Sequence, residues 1–133
     1  MPNFSTASAD KLITCDLRLQ KALNVAIKSV DFAVTCGHRN EIDQNSAFLN
    51  GASKLKWPNS SHNSFPSKAV DIAPCVGGKI DWKDADRFKN VGFFILGILA
   101  GMGVEARLGG DWDRDFSTTD EKFVDLPHIE LLA

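Results

Sequence analysis

Between Val91 and Val104 the chain carries its most apolar stretch, and Gly92, Gly97, Gly101 and Gly103 stand within it. The run falls short of the roughly 20 residues that a membrane span requires. It reads instead as a helix buried in protein. Asp81 or Asp84 can cap its start, and Phe88, Val91, Ile95, Ile98, Leu99 and Met102 then form one apolar stripe. A chain of 133 residues, 44% of them hydrophobic, can enclose such a helix in a single core but has too little material for two. One domain over residues 1–133 is expected, without repeats or low-complexity tracts.

The stripe needs a sheet to pack against, and period-two segments supply it. Residues 31–35 read as a strand, preceded by a helix that Asp16 caps and that repeats Leu19, Leu23, Ala26, Ile27 and Val30 at helical spacing. A further helix runs from Glu41 towards Leu49, with Asn50-Gly51 as its stop. Residues 59–64 are polar and form a loop. From Lys68 to Ala73 the chain alternates, Val70 and Ile72 facing one way and Ala69, Asp71 and Ala73 the other. Strands at Val104–Arg107 and His128–Leu132 complete an α+β domain, a small sheet packed by helices. In the last of them Ile129 and Leu131 enter the core, which turns His128 and Glu130 to the polar face.

Charge narrows the partners. Fifteen Lys+Arg against 17 Asp+Glu leave a formal net charge of -2, so no basic field draws the chain to nucleic acid or anionic lipid. Residues 1–10 have neither a basic start nor an apolar stretch and are not a secretory signal; a substrate outside the cytoplasm would need another component to deliver the protein. Cys15, Cys36 and Cys75 are odd in number, widely spaced and include no CxxC pair, which argues against a disulfide framework and a thiolate zinc site. Cys36 reads as an inert buried thiol, with a Cys36/His38 dyad as the alternative.

The polar faces hold the chemistry. His62, Asp71 and His128 offer two imidazoles and a carboxylate, the donor set of a hydrolytic Zn²⁺ site whose remaining position is left to water. Asp125 lies three residues before His128, and Pro127 lets the chain turn so that Asp125 overhangs the cation as a general base. Each residue has a plainer role available: a satisfied core histidine, a turn cap, a loop acid. Their joint occurrence favours the metal. Asp111, Asp113 and Asp115 alternate as in a calcium loop, but Phe116 stands where that loop has glycine and Lys122 where it has glutamate, so a solvated acidic loop is expected. His38 reads as a surface or groove histidine, and Trp82 and Trp112 as core anchors or groove walls.

Gly37-His38-Arg39, Ser60-x-His62, Ala69-Val70-Asp71, residues 78–82, Gly109-Gly110-Asp111-Trp112 and Asp125-x-x-His128 extend over most of the chain. In these stretches the sequence resembles the phage endolysin branch of the zinc peptidases that share a fold with D-alanyl-D-alanine carboxypeptidases and the hedgehog signalling domain. Its interval from His62 to Asp71 is longer than the commoner family spacing, and Leu108 stands where an aromatic residue often precedes the glycine pair.

The resemblance implies a hedgehog-like single domain with a small antiparallel sheet. It also implies an L-alanyl-D-glutamate peptidase acting on the peptidoglycan stem, with His62, Asp71 and His128 holding zinc, Asp125 as base and Arg39 as the substrate arginine. The guanidinium of Arg39 suits a substrate carboxylate or an oxyanion, or else an ion pair at the strand's end. A D-alanyl-D-alanine carboxypeptidase or dipeptidase is the alternative within this chemistry, because a fold does not fix which amide is cut. A non-catalytic, zinc-containing cell-wall-binding module is the alternative outside it. A monomer made in the host cytoplasm, without membrane insertion, and reaching the wall with a holin-type release partner is expected.

Overall fold

The computed structural model describes residues 2–119, 121 and 124–133. The elements are α1 (Thr6–Leu12), α2 (Leu17–Ala26), β1 (Phe32–Cys36), α3 (Glu41–Leu49), β2 (Ala69–Pro74), α4 (Ala85–Gly101), β3 (Ala106–Leu108) and β4 (His128–Leu131). The strands form one antiparallel sheet in the order β1-β2-β4-β3. Asp16 caps α2 as expected, Asp84 rather than Asp81 caps α4, and Asn40 caps α3; each accepts a hydrogen bond from a first-turn N–H. Among the described residues no helix is long and apolar enough to cross a membrane.

The apolar side chains share one core. Leu19 and Leu23 of α2, Phe32 and Val34 of β1, Val70 and Ile72 of β2, Ile95 and Leu99 of α4, Leu108 and Ile129 pack in it together. Each large aliphatic or aromatic side chain buried there contributes roughly 1.5–3 kcal/mol. The core lies on one face of the sheet, which frees the other for polar residues. In β2 only Asp71 is partly exposed, since Ala69 and Ala73 on its own face are buried as well.

The structure departs from the sequence expectations in places that have local causes. Helix α1 was not anticipated. Ser5 caps it by accepting from Ser8 N at 3.1 Å, and the buried hydroxyl of Ser8 accepts from Val34 N at 3.0 Å, so this helix satisfies a backbone donor of β1. Helix α4 ends one residue before Met102, which is 39% exposed and outside the apolar stripe assigned to it. The reason is Gly103, whose φ of 77° reverses the chain and lets Val104 N donate back to Leu99 O at 2.9 Å. That closure delays β3 to Ala106 instead of Val104.

Strand β1 carries a bulge. Val34 pairs with Ile72 and Cys36 with Asp71, which leaves Thr35 as the extra residue. Strict alternation would have aligned Thr35 with Asp71. The bulge instead brings Cys36 opposite Asp71, on the polar side of the sheet.

Candidate metal centre

Asp71 and His128 are direct cross-strand partners in β2 and β4, so the sheet itself holds their side chains on one face. His62 reaches them from the loop before β2. Two contacts with the end of β1 fix that loop: Arg39 N donates to His62 O at 2.8 Å, and His62 Nδ1 lies 2.8 Å from Gly37 O. A carbonyl accepts only, so Nδ1 carries hydrogen and Nε2 is the nitrogen that faces Asp71 and His128.

The three inward atoms form a nearly equilateral triangle. His62 Nε2 is 3.2 Å from Asp71 Oδ1 and 3.2 Å from His128 Nδ1, and His128 Nδ1 is 3.3 Å from Asp71 Oδ1. Both imidazoles are buried, at 3% and 7% exposure. Burial alone would lower their pKa values, but Asp71 outweighs it, raising His62 to about 10 and moving His128 in the same direction. Burial likewise opposes the charge of Asp71, and its hydrogen bonds to the two histidines prevail, holding its carboxyl far below the usual range. Two N–H groups cannot point at each other across 3.2 Å, so the cation-free cluster keeps one proton there. A metal cation can replace it.

Asp125 stands beside this triangle. A carboxylate oxygen of Asp125 and ligand atoms of Asp71 and His128 all lie within 4.8 Å of one another. The turn expected at Pro127 is present: His128 N donates to Asp125 O at 3.0 Å, and β4 begins at His128. Burial first, then the negative charge of Asp71, raises the pKa of Asp125 above its ordinary value. Gly109 makes the turn fit, since its N–H donates to His128 O and its own oxygen accepts from Asp125 N. A Cβ there would lie 2.3 Å from Asp125 O.

Arg39 lines the same cleft of about 550 Å³ as His62, Asp71, Asp125 and His128. Its guanidinium is held by neutral groups, donating to Gln44 Oε1 at 3.0 Å and to Cys36 Sγ at 3.4 Å. Gln44 is fully buried and serves as a hub. It also accepts from Asn63 Nδ2 at 3.0 Å and donates to Ser53 Oγ at 2.9 Å and Leu55 O at 2.6 Å. Sequence reasoning passed over Gln44, which stands beside a second amide, Asn45, in a short helix and carries no signal that separates the two.

Glu130 and Arg107 were also missed as site residues. Glu130 Oε1 is 2.6 Å from His128 Nε2, and its Oε2 accepts from Arg107 Nε and Nη2 at 3.1 and 3.0 Å. Burial raises the Glu130 pKa, but His128 and then Arg107 overcome it and bring it to about 2. Trp112 lines the cleft, its ring 5.8 Å from that of His128, whereas Trp82 is 60% exposed and lies elsewhere.

Cys36 is only partly buried and meets His62, not His38. Its sulfur sits 3.7 Å from His62 Nδ1, and although burial works against ionisation, the contact with His62 lowers the thiol's pKa. Cys36, His62 and Asp71 can be grouped as ligands, yet the thiol meets the outer nitrogen of the ring while Asp71 meets the inner one. One cation cannot use both sides of one imidazole, so Cys36 stands behind the centre. His38 turns away, with Nδ1 2.9 Å from Ser64 O and its ring against Phe65.

The carboxylates of Asp111, Asp113 and Asp115 converge within 4.8 Å, and part of the cause is local: Asp111 accepts from the N–H groups of Asp115 and Phe116, at 3.0 and 2.9 Å. Lys122, which bore on the calcium-loop comparison, lies outside the described residues.

A family model described as phage L-alanyl-D-glutamate peptidase matches residues 2–132. An L-alanyl-D-glutamate peptidase from Escherichia phage T5 is 31% identical over 97% of each chain. The crystal structure of the Serratia marcescens L-Ala D-Glu endopeptidase ChiX is similar with a TM-score of 0.74 at 23% identity, covering 97% of this chain and 90% of that one. At that identity the structural likeness speaks for the fold, and the α+β architecture is the same.

Proposed function

The chain belongs to the phage L-alanyl-D-glutamate peptidase family, and from this premise we propose that it hydrolyses the L-alanyl-D-glutamate amide of peptidoglycan stems using Zn²⁺ held by His62, Asp71 and His128. The observation carrying the proposal is the triangle of donor atoms, with edges of 3.2, 3.2 and 3.3 Å. Tetrahedral ligands at bond lengths of about 2.0–2.1 Å stand about 3.3–3.4 Å apart, so the three atoms already match one face of a zinc tetrahedron. Imidazole nitrogen and carboxylate oxygen are also ligands that suit this ion.

When bound, zinc supplies Lewis-acid polarisation of the scissile carbonyl and acidifies water. The chain's own residues do the rest. A carboxylate oxygen of Asp125 takes the proton of the attacking water and passes it to the leaving amine nitrogen, a task helped by its raised pKa. Arg39, held in place by Gln44, directs its positive charge at the developing oxyanion or a carboxylate of the substrate. Residues 1–133 act as one catalytic domain, working as a monomer. Synthesis in the host cytoplasm and passage to the wall with a holin-type partner accord with the phage origin of the 31% identical relative.

Purified murein digested with the protein, followed by mass spectrometry and metal analysis, tests this reading. New amino-terminal D-glutamate, with one zinc per chain, is the expected result. Release of terminal D-alanine would replace it with the carboxypeptidase reading, and zinc-dependent wall binding without cleavage would leave a binding module.

A further inference from the structure

The two histidines of the centre face it with different nitrogens. His62 presents Nε2, because Nδ1 is occupied by Gly37 O, whereas His128 presents Nδ1. Coordination through Nδ1 brings the backbone side of the ring close to the metal and leaves Nε2 pointing away. Something must settle that choice for His128. Glu130 Oε1 lies 2.6 Å from Nε2, a short contact between a ring nitrogen and a carboxylate oxygen.

The register of β4 explains the contact. Glu130 follows His128 by two residues and therefore shares its face of the sheet. Across the other edge, Arg107 of β3 is the direct partner of Glu130. The two carboxylate oxygens divide the work: Oε2 takes both hydrogen bonds from Arg107, while Oε1 meets His128 and accepts from Ser61 Oγ at 3.3 Å. A cross-strand ion pair needing only Arg107 would leave Oε1 without this task. Arg107 is itself anchored, donating to Trp112 O at 3.3 Å with its guanidinium 5.2 Å from the centre of the Trp112 ring.

We propose that Glu130, locked by Arg107, is a positioning residue that keeps hydrogen on His128 Nε2 and so delivers Nδ1 as the metal ligand. The proposal rests on the zinc reading above and deepens it. A carboxylate accepting from the outer N–H fixes the ring's tautomer and orientation and strengthens its inner nitrogen as a donor. Arg107 compensates the added negative charge, so the ligand is strengthened without an unpaired anion beside the cleft.

Zinc affinity measured by competition with a chromogenic chelator tests the idea on the full chain, alongside the thermal midpoint of the metal-free protein. Glu130→Ala is expected to weaken zinc binding by about 10- to 100-fold, with Glu130→Gln, which keeps an acceptor oxygen, recovering a large part of it. Arg107→Ala should give a smaller loss in the same direction. Unchanged affinity in Glu130→Ala would overturn the proposal, while failure of the unsubstituted chain to bind zinc would overturn the zinc reading instead. A measurement on the unsubstituted protein keeps the test decisive if a variant fails to fold. Long-range ¹H–¹⁵N correlation of the zinc-loaded chain should find hydrogen on Nε2 of His128 and on Nδ1 of His62; hydrogen on Nδ1 of His128 would reject the assignment.

Discussion

His62 Nε2 and His128 Nδ1 lie 3.2 Å apart with no room for a proton on each, although they come from residues 66 positions apart in the chain. Replacing either histidine with alanine removes one corner of the triangle. Both His62→Ala and His128→Ala should lose zinc and murein hydrolysis together, as read by metal analysis and a lysis assay. Full metal occupancy in either variant would strike that residue from the ligand set.

Metal removal should expose the shared proton. The His62 pKa is raised to about 10 in the cation-free fold against about 6.5 in an unfolded chain. A raised pKa contributes stability that is complete below the unfolded value and disappears as pH climbs through the folded one. The thermal midpoint of chelator-treated protein is therefore expected to fall between about pH 6.5 and 10. Zinc-loaded protein, which holds no such proton, should not show that decline. A flat profile for the chelated form would contradict the proton's presence.

Asp125→Asn keeps the shape of the side chain and removes its capacity to accept a proton. Zinc content should stay at one per chain while the hydrolysis rate drops by about 10²- to 10⁴-fold. Retained lysis would assign the proton transfer to another group.

Gln44→Ala probes the hub beneath Arg39. The substitution removes one partner each from Leu55 O and the amide of Asn63, which keep Ser53 Oγ and Arg39 O, and should cost about 1–3 kcal/mol in chemical denaturation. Loosening Arg39 should also slow hydrolysis by about 10- to 100-fold with zinc content unchanged. A variant of reduced stability but full specific activity would show that Gln44 holds the fold alone.

Asp16 offers a control remote from the cleft. It caps α2 and pairs with Arg18 at 2.9 Å and Lys68 at 3.3 Å. The Arg18 contact outweighs burial and holds its carboxyl far below the usual range. Asp16→Ala should cost about 1 kcal/mol at neutral pH. A depressed pKa contributes stability above the unfolded value of about 3.9 and loses it as pH falls through the folded one, so the deficit should shrink on acidification below about pH 4. An equal deficit at pH 2 and pH 7 would refute the ion-pair contribution.

The elements that sequence made legible are those with strong periodicity and chemically marked ends. Asp16 and Asp84 cap helices as their side chains dictate, and alternation put Asp71, His128 and Glu130 on one face. Pro127 predicted the turn that carries Asp125. Cys36 was misread because a bulge at Thr35 breaks the period-two rule, and no residue type announces a bulge. Glu130 was legible as part of the polar face but its pairing with Arg107 was not, since β3 has only three residues and its register depends on where Gly103 releases α4. Gln44 escaped because a buried amide is defined by its partners, which lie 5 to 19 residues away.

The origins of the three donors are unequal: Asp71 and His128 are locked opposite each other in the middle strands, while His62 rides on a loop fastened at Gly37 and Arg39. On the proposed zinc reading, release of the cation would be easiest through departure of His62, because the backbones that carry Asp71 and His128 are held in register by the sheet. Loading and release become a matter of one swinging latch on an immovable jaw, and their rates should follow the strength of the fastening at Gly37 more than the stability of the whole molecule.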